Sequence, residues 1–238
     1  MWDSPDRLGL EWAEHWVETS DGVTLHGWMI GDPAEKPVVV YSHGNAGNIS
    51  GRVDIAGDIA KQGAAVFLYD YRGYGKSDGS PSEEGIYRDG EAVVHFLKDS
   101  LNIAPDRMVF FGRSLGGAVA ARQAARYKGA GLVLDSAFIS GKEIATDIYP
   151  FIPEILVSID FPVDDDLRQS QTERIMILHA RSDRIVPFHH GETLLDIAED
   201  KIGDENVTFV ELRGGHNTGF RQSRDVFSEA WREFLNRL

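Results

Sequence analysis

The 238-residue chain has no cysteine. That absence excludes a disulfide scaffold, a thiolate zinc site, an iron–sulfur cluster and a cysteine nucleophile. Lysine is scarce, with 7 lysines beside 17 arginines. Positive charge as a whole is short: 24 Lys and Arg stand against 38 Asp and Glu, a formal charge of −14. This balance argues against nucleic acid or an anionic membrane as a partner. Long apolar runs are missing too. Residues 38–41 and 64–69 form strand-length stretches, far below a membrane span. The opening Met-Trp-Asp-Ser-Pro-Asp lacks the basic and apolar regions of an export signal, so a cytoplasmic location is expected.

What is present suits a soluble globular protein, with 42% hydrophobic and 26% charged residues. The length predicts one domain over residues 1–238, large enough for a substantial core. No internal repeat or low-complexity tract interrupts it.

Residues 15–19 and 23–30, joined at Asp21-Gly22, read as a β-hairpin. Residues 38–42 are apolar throughout, as expected of a strand buried on both faces of a parallel sheet. Strand and helix then alternate. Helices are expected over residues 50–62, 82–98, 115–127, 188–199 and 219–236. Strands are expected over 64–70, 108–111, 132–134, 174–178 and 207–212. This rhythm predicts an α/β fold with a mostly parallel, doubly wound sheet. Residues 137–171 break the rhythm. They are too many for a plain connection and too apolar for a free loop, so they read as a short lid insertion.

The sharpest chemical signal is Gly112-Arg113-Ser114-Leu115-Gly116, between an expected strand and an expected helix. A serine on so sharp a turn needs a strained backbone and glycine neighbours, and the following helix offers N–H groups to a developing anion. Ser114 is therefore the candidate nucleophile. A hydroxyl needs a base, and His216 follows a strand in the loop Arg213-Gly214-Gly215-His216. The base needs an acid. Asp183 follows another strand and gives the order Ser, Asp, His; Asp135 is the rival. The amides of Leu115 and Asn45 are the candidate oxyanion hole. His43 reads as a structural histidine joining loops. Arg113 is expected to point into solvent or anchor neighbouring loops. His189 and His190 diverge on a helix and have no well-spaced third ligand, so they read as a solvated helix start, with no metal expected.

These residues carry a resemblance. Segments 42–48, 69–79, 112–117, 179–187 and 214–217 resemble the α/β-hydrolase superfamily and, within it, the Bem46-like group. The resemblance implies an α/β-hydrolase fold and serine hydrolysis of carboxylic esters or thioesters, with Ser114, Asp183 and His216 as the triad and no cofactor. The expected reading is a carboxylesterase acting on a small-molecule acyl ester through an acyl-enzyme. An acyl thioesterase and a non-catalytic ligand-binding receptor of the same fold are the alternatives. Substrate-binding residues, natural substrate and oligomeric state stay open.

Overall fold

The computed structural model describes residues 4–148 and 159–238. Their framework is an eight-stranded sheet. β1 (Trp12–Glu18) and β2 (Thr24–Ile30) form the antiparallel hairpin, paired from Trp12↔Ile30 to Glu18↔Thr24. Gly22 supplies the positive φ of its turn, +78°. β3 (Val38–Ser42), β4 (Ala65–Tyr69), β5 (Met108–Arg113), β6 (Gly131–Asp135), β7 (Ile175–Ala180) and β8 (Val207–Leu212) follow. The order across the sheet is β1-β2-β4-β3-β5-β6-β7-β8. β2 pairs antiparallel with β4, and every later pair is parallel. The mostly parallel α/β sheet predicted from the alternating rhythm is thus observed.

The run 38–42 is buried along its whole length because each face meets helices. Val38 and Val40 join a core with α2 (Glu83–Asp99), α3 (Leu115–Arg126) and α6 (Phe188–Ile202). Val39 and Tyr41 join the opposite core with α1 (Val53–Lys61) and α8 (Arg224–Asn236). Alternate residues of one strand thereby anchor two layers. In α8, Phe227, Trp231 and Phe234 are buried against the sheet, each worth roughly 1.5–3 kcal/mol of transfer energy.

One difference from the sequence expectation concerns the last expected helix, over residues 219–236. The last helix is two helices, α7 (Gly219–Gln222) and α8, separated at Ser223. The Ser223 hydroxyl accepts the Arg213 N–H at 2.6 Å and so ties the break to the end of β8. The insertion 137–171 carries α4 (Gly141–Ile148) and α5 (Val163–Arg168); its residues 149–158 lie outside the described part. No helix among the described residues is long and apolar enough to cross a membrane.

Candidate active site

Ser114 sits between β5 and α3 with φ +52° and ψ −119°. That conformation is costly for any residue with a Cβ, by about 1–3 kcal/mol. The surrounding glycines show why the turn can be so tight. A Cβ on Gly112 would lie 2.1 Å from the Gly116 carbonyl oxygen, and one on Gly116 would lie 1.9 Å from the Ser42 carbonyl oxygen. Strand β5, helix α3 and the end of β3 are therefore in backbone contact around the serine. Gly44 approaches closely as well, since its Cβ would stand 3.3 Å from the Ser114 Cβ. The loop carrying Asn45 is thus pressed against the turn. Among the described residues, the Ser114 hydroxyl makes no hydrogen bond.

Asp183 and His216 come from the loops after β7 and β8. His216 Nδ1 lies 2.8 Å from Asp183 Oδ2. The other carboxylate oxygen accepts the amides of Ile185 and Val186, each at 2.9 Å. Burial pushes the Asp183 carboxyl up. The hydrogen bonds from His216 and from these amides outweigh it, so the group sits below an ordinary aspartate. An ionised carboxylate only accepts. The shared proton therefore belongs to His216 Nδ1, which leaves Nε2 as a free acceptor.

The rival acid does something else. Asp135 Oδ2 is 3.3 Å from Arg113 Nε, and Asp135 Oδ1 accepts the Ser136 hydroxyl at 3.0 Å. Arg113 is buried and also donates from its terminal nitrogen to the backbone carbonyl of His216. Of its two expected orientations, the structure shows loop anchoring. The residue before Ser114 holds the loop that carries His216, a link that residue spacing gave no means of finding.

His43 is fully buried. Its Nδ1 lies 2.8 Å from the Gly44 carbonyl, and its Nε2 is 3.3 Å from Asp70. Tyr71 donates to the His43 carbonyl at 2.9 Å. The histidine joins loops, in line with the structural reading. His179 is a further buried histidine beneath the site. Its Nε2 donates to the Val186 carbonyl at 2.9 Å, and burial lowers its pKa. It thereby holds the segment whose amides grip Asp183.

Ser114, Leu115 and Asn45 share one cavity of about 370 Å³. Its apolar wall includes Phe138, Ile144, Ile159 and Phe161 from the insertion. Glu83, at the start of α2, fastens the returning end of that wall by accepting the amides of Asp160 and Phe161, both at 2.8 Å. This carboxylate also escaped sequence reading, because acids in a first helical turn are commonplace. The Asn45 side chain is occupied elsewhere, accepting the Tyr74 hydroxyl at 2.6 Å and the Ala46 amide at 3.0 Å.

The solvated reading of His189-His190 is corrected for His190, which is fully buried. Its Nδ1 accepts the Ile139 amide at 3.1 Å, so the ring proton lies on Nε2, 2.9 Å from Asp147 Oδ2. His189 reaches the same oxygen at 3.3 Å. Asp147, His189 and His190 therefore converge as three donors of metal-ligand type. The fixed tautomer opposes a metal there, because a metal at Nε2 would force a proton onto Nδ1 against the Ile139 N–H. Burial pushes the His190 pKa down to about 4.

Comparison with known proteins fits this geometry. Residues 33–161, more than half of the chain, match the family described as serine aminopeptidase, S33. The protein Rv2307c of Mycobacterium tuberculosis is 35% identical over 92% of this chain and 77% of its own length. The α/β hydrolase domain-containing protein WAV2 of Arabidopsis thaliana is 31% identical over 98% of this chain and 82% of its own. The bem46 protein of Schizosaccharomyces pombe is 30% identical over 77% of this chain and 64% of its own. Among solved structures, the Pyrococcus furiosus esterase Pf2001 superposes with a TM-score of 0.81 over 98% of this chain and 93% of its own. At 22% identity that likeness speaks for the fold. The chain belongs to the α/β-hydrolase superfamily, in its Bem46-like group.

Proposed function

We propose that the protein is a serine carboxylesterase in which Ser114 is the nucleophile, His216 the general base and acid, and Asp183 the orienting carboxylate. The observation that carries this reading is the Asp183 carboxyl group 2.8 Å from His216 Nδ1 while Ser114 occupies a strained turn beside an apolar cavity. Nε2 of His216 is left to take the Ser114 proton. That contact forms as the substrate binds, since hydrogen bonds of this kind are commonly long in the free enzyme.

The serine oxygen then attacks the acyl carbon. The Leu115 and Asn45 amides hold the resulting oxyanion, with the N-terminus of α3 aligned behind the first of them. Collapse breaks the ester bond. The departing alkoxide takes the proton from His216 Nε2, and the acyl group stays on Ser114. A water, deprotonated by the same nitrogen, repeats the sequence and frees the acid.

The cavity volume of about 370 Å³ is near the small end of ligand pockets, which favours short to medium acyl chains. In this reading residues 1–238 act as one catalytic domain and the insertion 137–171 is its cover. The test is turnover of p-nitrophenyl esters of rising chain length, with one S-acyl thioester, by wild type and Ser114→Ala. Ester turnover lost in the variant supports the proposal. Preference for the thioester would shift it to a thioesterase. Tight acyl binding without turnover would make the protein a receptor.

A further inference from the structure

A second cavity, about 150 Å³, lies where the start of α1 meets α7 and the His216 loop. Its wall includes Arg52, Arg113, Asn217 and Arg221, and it shares no residue with the acyl cavity. Three arginines lining one small space are unusual in a chain carrying −14. Only one of the three is neutralised by a neighbour. Arg113 has Asp135, but Arg52 donates only to the Ala46 carbonyl, at 3.0 Å. Among the described residues, neither Arg52 nor Arg221 has a carboxylate within ion-pair distance. The cavity's one acid, Asp54, is already held by Arg7 at 2.7 Å.

A separate observation points to a missing partner. The Nε atom of Arg52 is buried and without a hydrogen bond, whereas that of Arg113 faces Asp135 Oδ2 at 3.3 Å. An unsatisfied buried N–H on a charged group is costly, and native structures rarely leave one unexplained. Arg52 is thus short of acceptors beside a cationic cavity.

We propose that this cavity is an anion subsite, sized for a phosphate group, and that it receives the leaving-group half of the substrate. Arginine suits phosphate because its planar N–H groups form paired, charge-assisted hydrogen bonds. Placement sets the half of the substrate. His216 must hand its proton to the leaving atom, and the next residue, Asn217, lines the cavity. Ser114 and Leu115 border the apolar cavity instead, on the acyl side. The substrate class is then an acyl ester or thioester of a phosphorylated alcohol or thiol. The assignment to the leaving group rests on the serine-hydrolase reading; the anion subsite does not.

The test separates the two. Calorimetric titration of Ser114→Ala protein with inorganic pyrophosphate at low ionic strength should show saturable binding. Adding Arg221→Glu should weaken it by about tenfold or more, the size of one lost charge-assisted hydrogen bond. Arg221→Gln serves if the glutamate variant does not fold. Absence of saturable binding, or binding indifferent to Arg221, overturns the subsite. In Ser114 protein, kcat/KM for butyryl-coenzyme A is then compared with that for butyryl-N-acetylcysteamine, which lacks phosphate. The ratio should favour the phosphorylated thioester and fall about tenfold in the Arg221 variant. An unchanged ratio, with pyrophosphate still bound by the parent, overturns the leaving-group assignment and leaves a site for free anions. Pyrophosphate binding without turnover of any ester or thioester would sink the hydrolase reading while sustaining the subsite.

Discussion

The guanidinium of Arg113 donates to the backbone carbonyl of His216, so the strand that presents Ser114 also holds the loop that presents the histidine. Their separation is therefore set by one side chain rooted in β5. Arg113→Met should lower kcat by up to about a hundredfold, the loss expected for a misplacement near 1 Å. It should also destabilise the fold by about 3–5 kcal/mol, because Asp135 is left buried without its cation. The pair Arg113→Met with Asp135→Asn should regain much of the stability and little of the kcat. Urea unfolding alongside steady-state kinetics checks both. Recovery of kcat together with stability would show that Arg113 matters only for folding.

Backbone strain at Ser114 gives a second expectation. Glycine tolerates φ +52° freely, whereas alanine does not. Ser114→Gly should therefore be more stable than Ser114→Ala by about 1 kcal/mol or more, with both inactive. Equal midpoints in thermal unfolding would contradict the idea that the turn stores strain.

His190 links the insertion to α6 through Asp147, and its pKa of about 4 lies below the ordinary 6.5. The groups facing it are His189, Asp147 and the Ile139 amide. Between those two pH values the unfolded chain binds a proton that the folded one refuses, so stability rises with pH there. The change amounts to about 3 kcal/mol across the window and levels off below it. His190→Gln removes the titrating group and keeps a donor for Asp147. The stability difference between wild type and variant should shift with pH from 6.5 down to 4 in favour of the variant. A difference flat across that range would show that His190 is not the group responsible.

Glu83 should govern acyl selectivity. It accepts two amides that fix the insertion segment carrying Ile159 and Phe161 into the cavity wall. While a chain still fills the cavity, each added methylene should improve kcat/KM by about fourfold, the equivalent of 0.8 kcal/mol. Glu83→Ala should blur the chain-length optimum while acetate ester turnover changes little by comparison. Glu83→Gln, which keeps one acceptor oxygen, should fall between. An unaltered chain-length profile in Glu83→Ala would remove Glu83 from specificity.

Much of this arrangement was legible because it depends on short-range pattern. The apolar run in β3, the Asp21-Gly22 turn and the glycines around Ser114 each report a local steric demand, and the observed elements follow them. The order Ser, Asp, His pointed to Asp183, and the His216 ring bonds that residue. What escaped notice depends on paths through space. Asp147 approaches His190 only because of the route taken by the insertion, so His190 looked like a surface residue. Ser223 gave no sign of a helix break, since serine is tolerated inside helices and its hydroxyl partner lies ten residues back. Arg113 and Glu83 were ambiguous for the same reason: a charged side chain does not announce its acceptor.

The packing of α8 bears on the making of the protein. His216 is held by β8, by the Ser223 contact behind it, and by Arg113, while α8 closes that face with Phe227 and Trp231. A nascent chain that has not yet released α8 from the ribosome already contains Ser114, Asp183 and Arg113, but the face behind the His216 loop that Phe227 and Trp231 close is still open. Under the proposed reading, hydrolytic competence waits for α8 to pack, so a chain caught before that step adds folding load to the cell without adding esterase.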